Sequence, residues 1–211
     1  MQDFDQCKNN EIKNRPKHIE FYTKVLGLPK HIYTDWDEPD PIKREQYRSL
    51  QRVDVDVLIS KEGSPCWYYI SEKDRNADYG DMYIETWSNY DKRILGSYIK
   101  ENKSNYILYQ TPKGIYWVKH DSNFINVVHN LHNEVPRSVY DKLVGDNYKY
   151  PVKYHIDKYN LDVKLAKSES YRNGEIWHST GIIVTWKDLV YKFGVRVSAY
   201  DLNFNKFNPC L

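Results

Sequence analysis

The apolar residues of the first fifty positions recur at rough helical spacing. Ile12, Ile19, Phe21, Tyr22, Val25 and Leu26 stand among Lys and Glu over residues 10–26, and Gly27 and Pro29 then supply a stop, so the first element is expected to be a helix. A polar, proline-punctuated loop, Asp35 to Pro41, precedes IKREQYRSLQR, which reads as a second short helix. The period then changes. Val53 to Ile59 begins as a strict alternation, KEGSP supplies a turn, and Cys66 to Ile70 is aromatic and apolar, the pattern of a hairpin. Asp81 to Trp87 reads as a third strand, and Tyr106–Gln110 and Ile115–His120 form two more around the turn Thr111 to Gly114. From Phe124, the residues Phe124, Val127, Val128 and Leu131 fall on one helical face. Thr180 to Trp186 has the texture of a buried strand, followed by a short terminal helix closed by Gly194. Asp141 to Tyr171 is rich in Lys and Tyr and too weakly patterned to assign.

Strands interspersed with helices, with no repeat or linker, imply an α/β fold in which a mixed central sheet is flanked by helices. The 211 residues are expected to form one domain: a helical part over about 1–50, a sheet core over about 51–120 and a C-terminal extension over about 121–211. With 20 Tyr and 6 Trp the chain has the bulk to fill a core. No apolar run approaches the roughly 20 residues of a membrane span, and Asp3 and Asp5 stand where a signal peptide carries positive charge. The three cysteines, Cys7, Cys66 and Cys210, lie far apart without a CxxC pair, which fits a reducing cytoplasm. Abundant Lys and Asn with little Ala suggest an A/T-rich genome, such as a phage or a low-GC bacterium.

The net charge of +2 argues nothing by itself, but its distribution does. Residues 51–100 hold 7 basic and 9 acidic side chains, whereas residues 101–211 hold 15 and 11. An acidic patch in a basic frame suits a metal-dependent enzyme acting on a polyanion. The acids fall within expected strands: Asp54 and Asp56 in the first, Glu72 beside Lys73 at the end of the second, Glu85 in the third. Carboxylates set among apolar residues need a partner or a metal, and oxygen ligands suit Mg²⁺.

A helix, a strand with Asp, a strand ending in an acid–Lys pair and a further acidic strand resemble the PD-(D/E)xK nuclease superfamily of phage and bacterial type, with its restriction-endonuclease-like fold. The corresponding segments are QRVDVDVLI, YYISEKDR and YGDMYIETWSN, and the resemblance covers roughly residues 45–120. It implies a metal-dependent endonuclease that hydrolyses phosphodiester bonds in DNA with Mg²⁺ or Mn²⁺. Asp56 takes the place of the first-strand aspartate, with Asp54 on the same face as its understudy, and Lys73 that of the lysine. The acid two residues before that lysine is replaced by Ser71, so the resemblance implies a metal on Asp56 and Glu85, with Glu72 or the Ser71 region completing the shell and Lys73 orienting the attacking water. Asp56, Glu72, Lys73 and Glu85 are thus the candidate catalytic residues, and Asp54, Asp56, Glu72 and Glu85 the candidate metal ligands. In a regular strand Glu72 points away from Lys73, unless a bulge turns it. A second alignment takes Asp81 and Glu85 as the acids but puts Trp87 in the lysine's place.

His129 and His132 are spaced for a metal but lack a third ligand nearby and read as a helix-surface pair. Phosphate-loop, dinucleotide, serine-hydrolase and zincin signatures are absent from the sequence. The stretch YKYPVKYHIDKYN, Tyr148 to Asn160, interleaves Lys with aromatics and offers contacts to bases and phosphates. The rival reading is a catalytically inactive module of the same fold that binds nucleic acid or a host protein. A homodimer and a bacterial or phage-infected cytoplasm complete the expectations.

Overall fold

The structure, a computed structural model, describes residues 2–35, 37–145, 151–172 and 175–210, with side chains from residue 11 onward and excluding that of Arg172. In chain order the elements are β1 (Gln2–Asp3), α1 (Phe4–Lys24), β2 (Lys30–Tyr33), α2 (Pro41–Gln51), β3 (Val57–Ser60), β4 (Tyr68–Asp74), β5 (Asp81–Asn89), β6 (Ile94–Leu95), β7 (Tyr106–Thr111), β8 (Gly114–Lys119), α3 (Ser122–Glu134) and α4 (Arg137–Gly145). The chain continues through β9 (Val152–Ile156), β10 (Leu161–Arg172), β11 (Glu175–Thr185), β12 (Val197–Asp201) and β13 (Lys206–Phe207). The fold is mixed α/β, as the periodicity implies, but its strands form two sheets.

The first sheet runs β13-β12-β8-β7-β4-β3-β2 and is antiparallel except where β4 pairs with β7. The second runs β1-β10-β11-β5-β6, with β9 also on β10. The hairpin of β3 and β4 forms as expected. The third acidic strand does not extend it: β5 pairs with β11 and β6 in the second sheet, and β7 takes the place beside β4. Nor does the sheet core end near residue 120, because β9 to β11 build most of the second sheet and β12 and β13 close the first. The expected terminal helix is a single π-helical turn, Asp188–Lys192, with strands after it.

Side-chain alternation divides the interior in two. On one face of the first sheet Val57, Ile59, Ile70, Leu108 and Ile115 meet Phe21 and Tyr22 of α1. On the other, Ile107, Tyr109, Tyr116 and Val118 join α3, α4 and the inner face of the second sheet, where Met82, Ile84, Leu165, Ile182 and Val184 are buried. The four apolar residues of α3 that share a face in the sequence are all buried. The two sheets are tied where β4 ends and β5 begins: Arg75 pairs with buried Asp81, and the Tyr83 amide donates to the Tyr109 hydroxyl at 3.1 Å.

Phe21 is fully buried, with its ring 5.2–6.1 Å from those of Trp117, Tyr200 and Phe204. Replacing it by Ala is expected to cost about 3–5 kcal/mol in urea denaturation, since a large core side chain leaves a cavity. A loss below about 1 kcal/mol would mean that α1 is not anchored by this cluster.

Candidate functional site

Asp56 directly precedes β3, and its position follows from how α2 ends. The helix closes in a turn whose last residue, Asp54, takes a left-handed φ of 58°, a conformation that Asp and Asn tolerate better than other non-glycine residues. Asp54 is therefore not a strand residue, contrary to the alternation of VDVD, and β3 begins only at Val57. The turn removes the ladder partner that β4 would otherwise meet, and the Asp56 carboxylate takes its place. Its Oδ2 accepts from the Glu72 amide at 2.7 Å and from the Ser71 hydroxyl at 3.2 Å. Ser71, fully buried where the resemblance places an acid, is thus a donor to Asp56 rather than a second carboxylate.

Along β4 the side chains alternate, and the charges part accordingly. Lys73 lies on the Ser71 face, with Nζ 3.9 Å from Asp56 Oδ2. Glu72 lies on the Ile70 face beneath α1, where no bulge turns it. Its Oε1 accepts from the Tyr22 and Tyr33 hydroxyls at 2.6 and 3.1 Å, and its Oε2 is 3.1 Å from His18 Nδ1. The other ring nitrogen of His18 is 3.4 Å from Asp74 Oδ1, which also accepts from Asn14 at 3.0 Å. Glu72 is therefore corrected from candidate ligand and catalytic residue to one half of a buried ion pair holding α1. Burial opposes a charge on His18, but Glu72 and Asp74 outweigh it and raise its pKa to about 10. Burial likewise opposes the Glu72 carboxylate, and His18 with the two tyrosines lowers its pKa nonetheless.

Lys73 opens onto a cleft of about 620 Å³ between the end of β4 and the outer face of the second sheet. Glu85 of β5 and Asp54 line the same cleft, and Glu11 of α1 overhangs it. Glu85 is held by the Ser97 amide, which donates to Oε2 at 3.2 Å. That approach requires Gly96, because a Cβ there would lie 2.2 Å from the Glu85 carbonyl oxygen. Asp54 has the Lys100 ammonium 3.2 Å from Oδ2. The structure thus brings Asp54, Lys73 and Glu85 to the wall of one cleft, although β4 and β5 belong to different sheets, and sets Asp56 beside it through Lys73. It leaves out Glu72 and commits Asp81 to Arg75.

The electrostatics mark this as a crowded carboxylate site. Burial raises the pKa of Asp56 against the pull of Lys73 and the Glu72 amide, and burial likewise raises that of Glu85. Enclosure by the surrounding protein and then the charge of Asp56 raise Glu11 to about 7. Burial works against the Lys73 charge, but Asp56, Tyr98, Asp54 and Glu85 together hold its pKa above the ordinary lysine value. The sequence offered no signal for Glu11, which sits unremarked on a polar helix face, nor for Tyr98, 3% exposed and with a buried hydroxyl that has no hydrogen-bond partner among the described residues.

The acids are oxygen donors, the chemistry Mg²⁺ selects, but among the described residues no group of three or more His, Cys, Asp or Glu side chains is gathered closely enough to hold a metal. His132 is half-buried, with its ring 5.4 Å from that of Trp87. Among the described residues no helix is long and apolar enough to cross a membrane. No protein-family model matches the chain, and no curated protein or solved structure matches it.

The buried pair makes stability depend on pH. A histidine whose folded pKa is about 10 against an ordinary 6.5 stabilises fully below the lower value and loses that contribution as pH rises toward the upper one. Unfolding free energy measured by urea is expected to fall between about pH 7 and pH 10 in the wild type. His18→Gln is expected to remove that slope and to cost about 3–5 kcal/mol near pH 6, by leaving Glu72 buried and unpaired. A variant that retains the wild-type slope would contradict the pairing.

Proposed function

We propose that the cleft is the active site of a metal-dependent endonuclease that hydrolyses phosphodiester bonds in DNA, on a fold of the restriction-endonuclease-like kind. The observation that supports this reading is Lys73 in one cleft with Asp54 and Glu85, its ammonium 3.9 Å from Asp56. Carboxyl groups whose pKa values are raised by burial and by one another are poised to gain a cation. Asp56 and Glu85 would hold Mg²⁺ or Mn²⁺, with water and a substrate phosphate filling the remaining positions, the partly hydrated coordination that Mg²⁺ favours. Bound there, the cation supplies neutralisation of the carboxylates and polarisation of the phosphate.

The chain's own residues divide the remaining work. Lys73, its pKa raised, stays an ammonium at neutral pH, so it takes no proton from water. It stabilises the negative charge that develops on the phosphoryl oxygens, in a site that costs no reorganisation because Asp56 already holds the strand end in place. Glu11, with a pKa of about 7, is the group over the cleft able to exchange a proton with a water molecule at working pH.

A second reading has its own observation. With Ser71 buried as a donor to Asp56, the acid expected at that position is missing, as in a module that keeps the fold and grips nucleic acid or a host protein without cutting. Cleavage separates the two. On single-stranded, duplex and branched DNA, wild-type protein is expected to cleave with Mg²⁺ or Mn²⁺ and not with EDTA. Lys73→Ala is expected to lower the single-turnover rate by about 10²-fold while leaving DNA affinity nearly intact. Absence of cleavage on every substrate with either metal would discard the endonuclease and leave the binding module.

A further inference from the structure

The outer face of the second sheet continues beyond the cleft, and its next pair of side chains breaks a rule of sheet pairing. Val163 and Leu165 of β10 point into the core, so Lys164 points to the opposite face, with Ala166 and Ile183, both of which line the cleft. Lys164 pairs across β10 and β9 with Lys153, and directly opposed residues share a face, their Cβ atoms about 4.5–5.5 Å apart. Both lysines are exposed. Among the described residues neither has an acidic partner, although like charges directly opposite are destabilising. The next pair out on the same face is matched: His155 stands opposite Asp162, with Nδ1 2.8 Å from Oδ1. Opposite charges are thus used one step farther from the cleft, and like charges at the step nearest to it. A lysine on β9 is explained by protection of a sheet edge, but a second one facing it from the interior strand β10 is not.

We propose that Lys153 and Lys164 form a phosphate-binding subsite that holds the backbone of the nucleic-acid strand entering the cleft. The inference rests on the reading of the cleft as a nucleic-acid site and adds where the substrate runs. Strand spacing places Lys164 two strands and one row from Glu85, on the order of 12 Å, and Lys153 one strand farther. Pro151, two residues before Lys153, is itself part of the cleft wall, so the surface between them is continuous. A phosphate seated between the two ammonium groups relieves their repulsion, and its strand then reaches Lys73 along Ala166 and Ser168. Lys153 belongs to the stretch Tyr148 to Asn160, whose composition suggests phosphate contacts. Tyr148 and Tyr150 of that stretch lie outside the described residues.

The test is the salt dependence of binding to a fluorescently labelled single strand, measured in EDTA so that no cleavage intervenes. Lys153→Gln/Lys164→Gln is expected to weaken binding to all sequences alike and to flatten the slope of log affinity against log salt by about 1.4, the amount for two contacts on a single strand. Its thermal midpoint is expected to equal or exceed that of the wild type, because a like-charge contact has been removed. Lys153→Arg/Lys164→Arg is expected to keep the wild-type slope. If the wild type binds and the glutamine variant keeps both its affinity and its slope, the subsite is overturned and the reading of the cleft survives. If wild-type protein neither binds nor cleaves any strand, the cleft reading fails and the subsite fails with it.

Discussion

Alternation along β4 governs this molecule, because the strand carries charge on both faces. Glu72 and Lys73 are neighbours in sequence and are sent to opposite sides of the sheet, as the period of two requires. Neither charge is tolerable alone. Under α1, Glu72 is matched by the imidazolium of His18 and by two tyrosine hydroxyls, and the interaction fixes the helix that carries Glu11. On the other side Asp56 faces Lys73 while also capping the amide of Glu72, so a single carboxylate serves the fold and the cleft together. The structural side is held by ion pairing, and the cleft side is crowded with carboxylates.

That asymmetry separates the two roles. Each ring nitrogen of His18 stands at ion-pair distance from a carboxylate, Glu72 on one side and Asp74 on the other, which is what an architectural ion pair needs. At the cleft, by contrast, Asp54, Glu85, Glu11 and the adjoining Asp56 gather around Lys73, Lys100 and Lys167, and the pKa values of Asp56, Glu85 and Glu11 are raised. The backbone is shaped to allow this crowding. Gly96 lets its loop press on β5 so that Ser97 reaches Glu85, and Gly181 leaves room for the ring of Tyr83, which a Cβ would meet at 2.4 Å. Asp54 holds a left-handed turn at the end of α2. Strained or tightly packed backbone around an uncompensated charge cluster is the pattern expected of a working site.

Much of this was legible in the sequence wherever one short-range signal sufficed. The helical spacing around Phe21 and Tyr22, the single apolar face of α3 and the hairpin of β3 and β4 all rest on local periodicity. Asp56, Lys73 and Glu85 stood out because acids and lysine in apolar strands need a reason; Lys73 lies 3.9 Å from Asp56 and shares a cleft with Glu85. Their meeting depends on contacts between sheets, however, which periodicity does not encode. The pattern of β5 is that of a strand on either sheet, so nothing local assigned it to β11. VDVD alternates whether it is paired or turned, and the end of α2 decided that it turns. The strands β9 and β10 begin by alternating polar with apolar residues, but the long β10–β11 ladder that orders them is fixed by residues up to 19 positions apart. Glu72 is the instructive case, since strand alternation alone placed it opposite Lys73 while its partner His18 lay some fifty residues away in α1.

The most direct test of the account is titration of the metal-free protein with Mn²⁺, followed by electron paramagnetic resonance of the free ion. The cleft as described predicts saturable binding that is lost in Asp56→Asn and in Glu85→Gln and retained in Glu72→Gln at a pH and temperature where that variant is folded. No saturable binding by the wild type, or binding indifferent to Asp56 and Glu85, would contradict it.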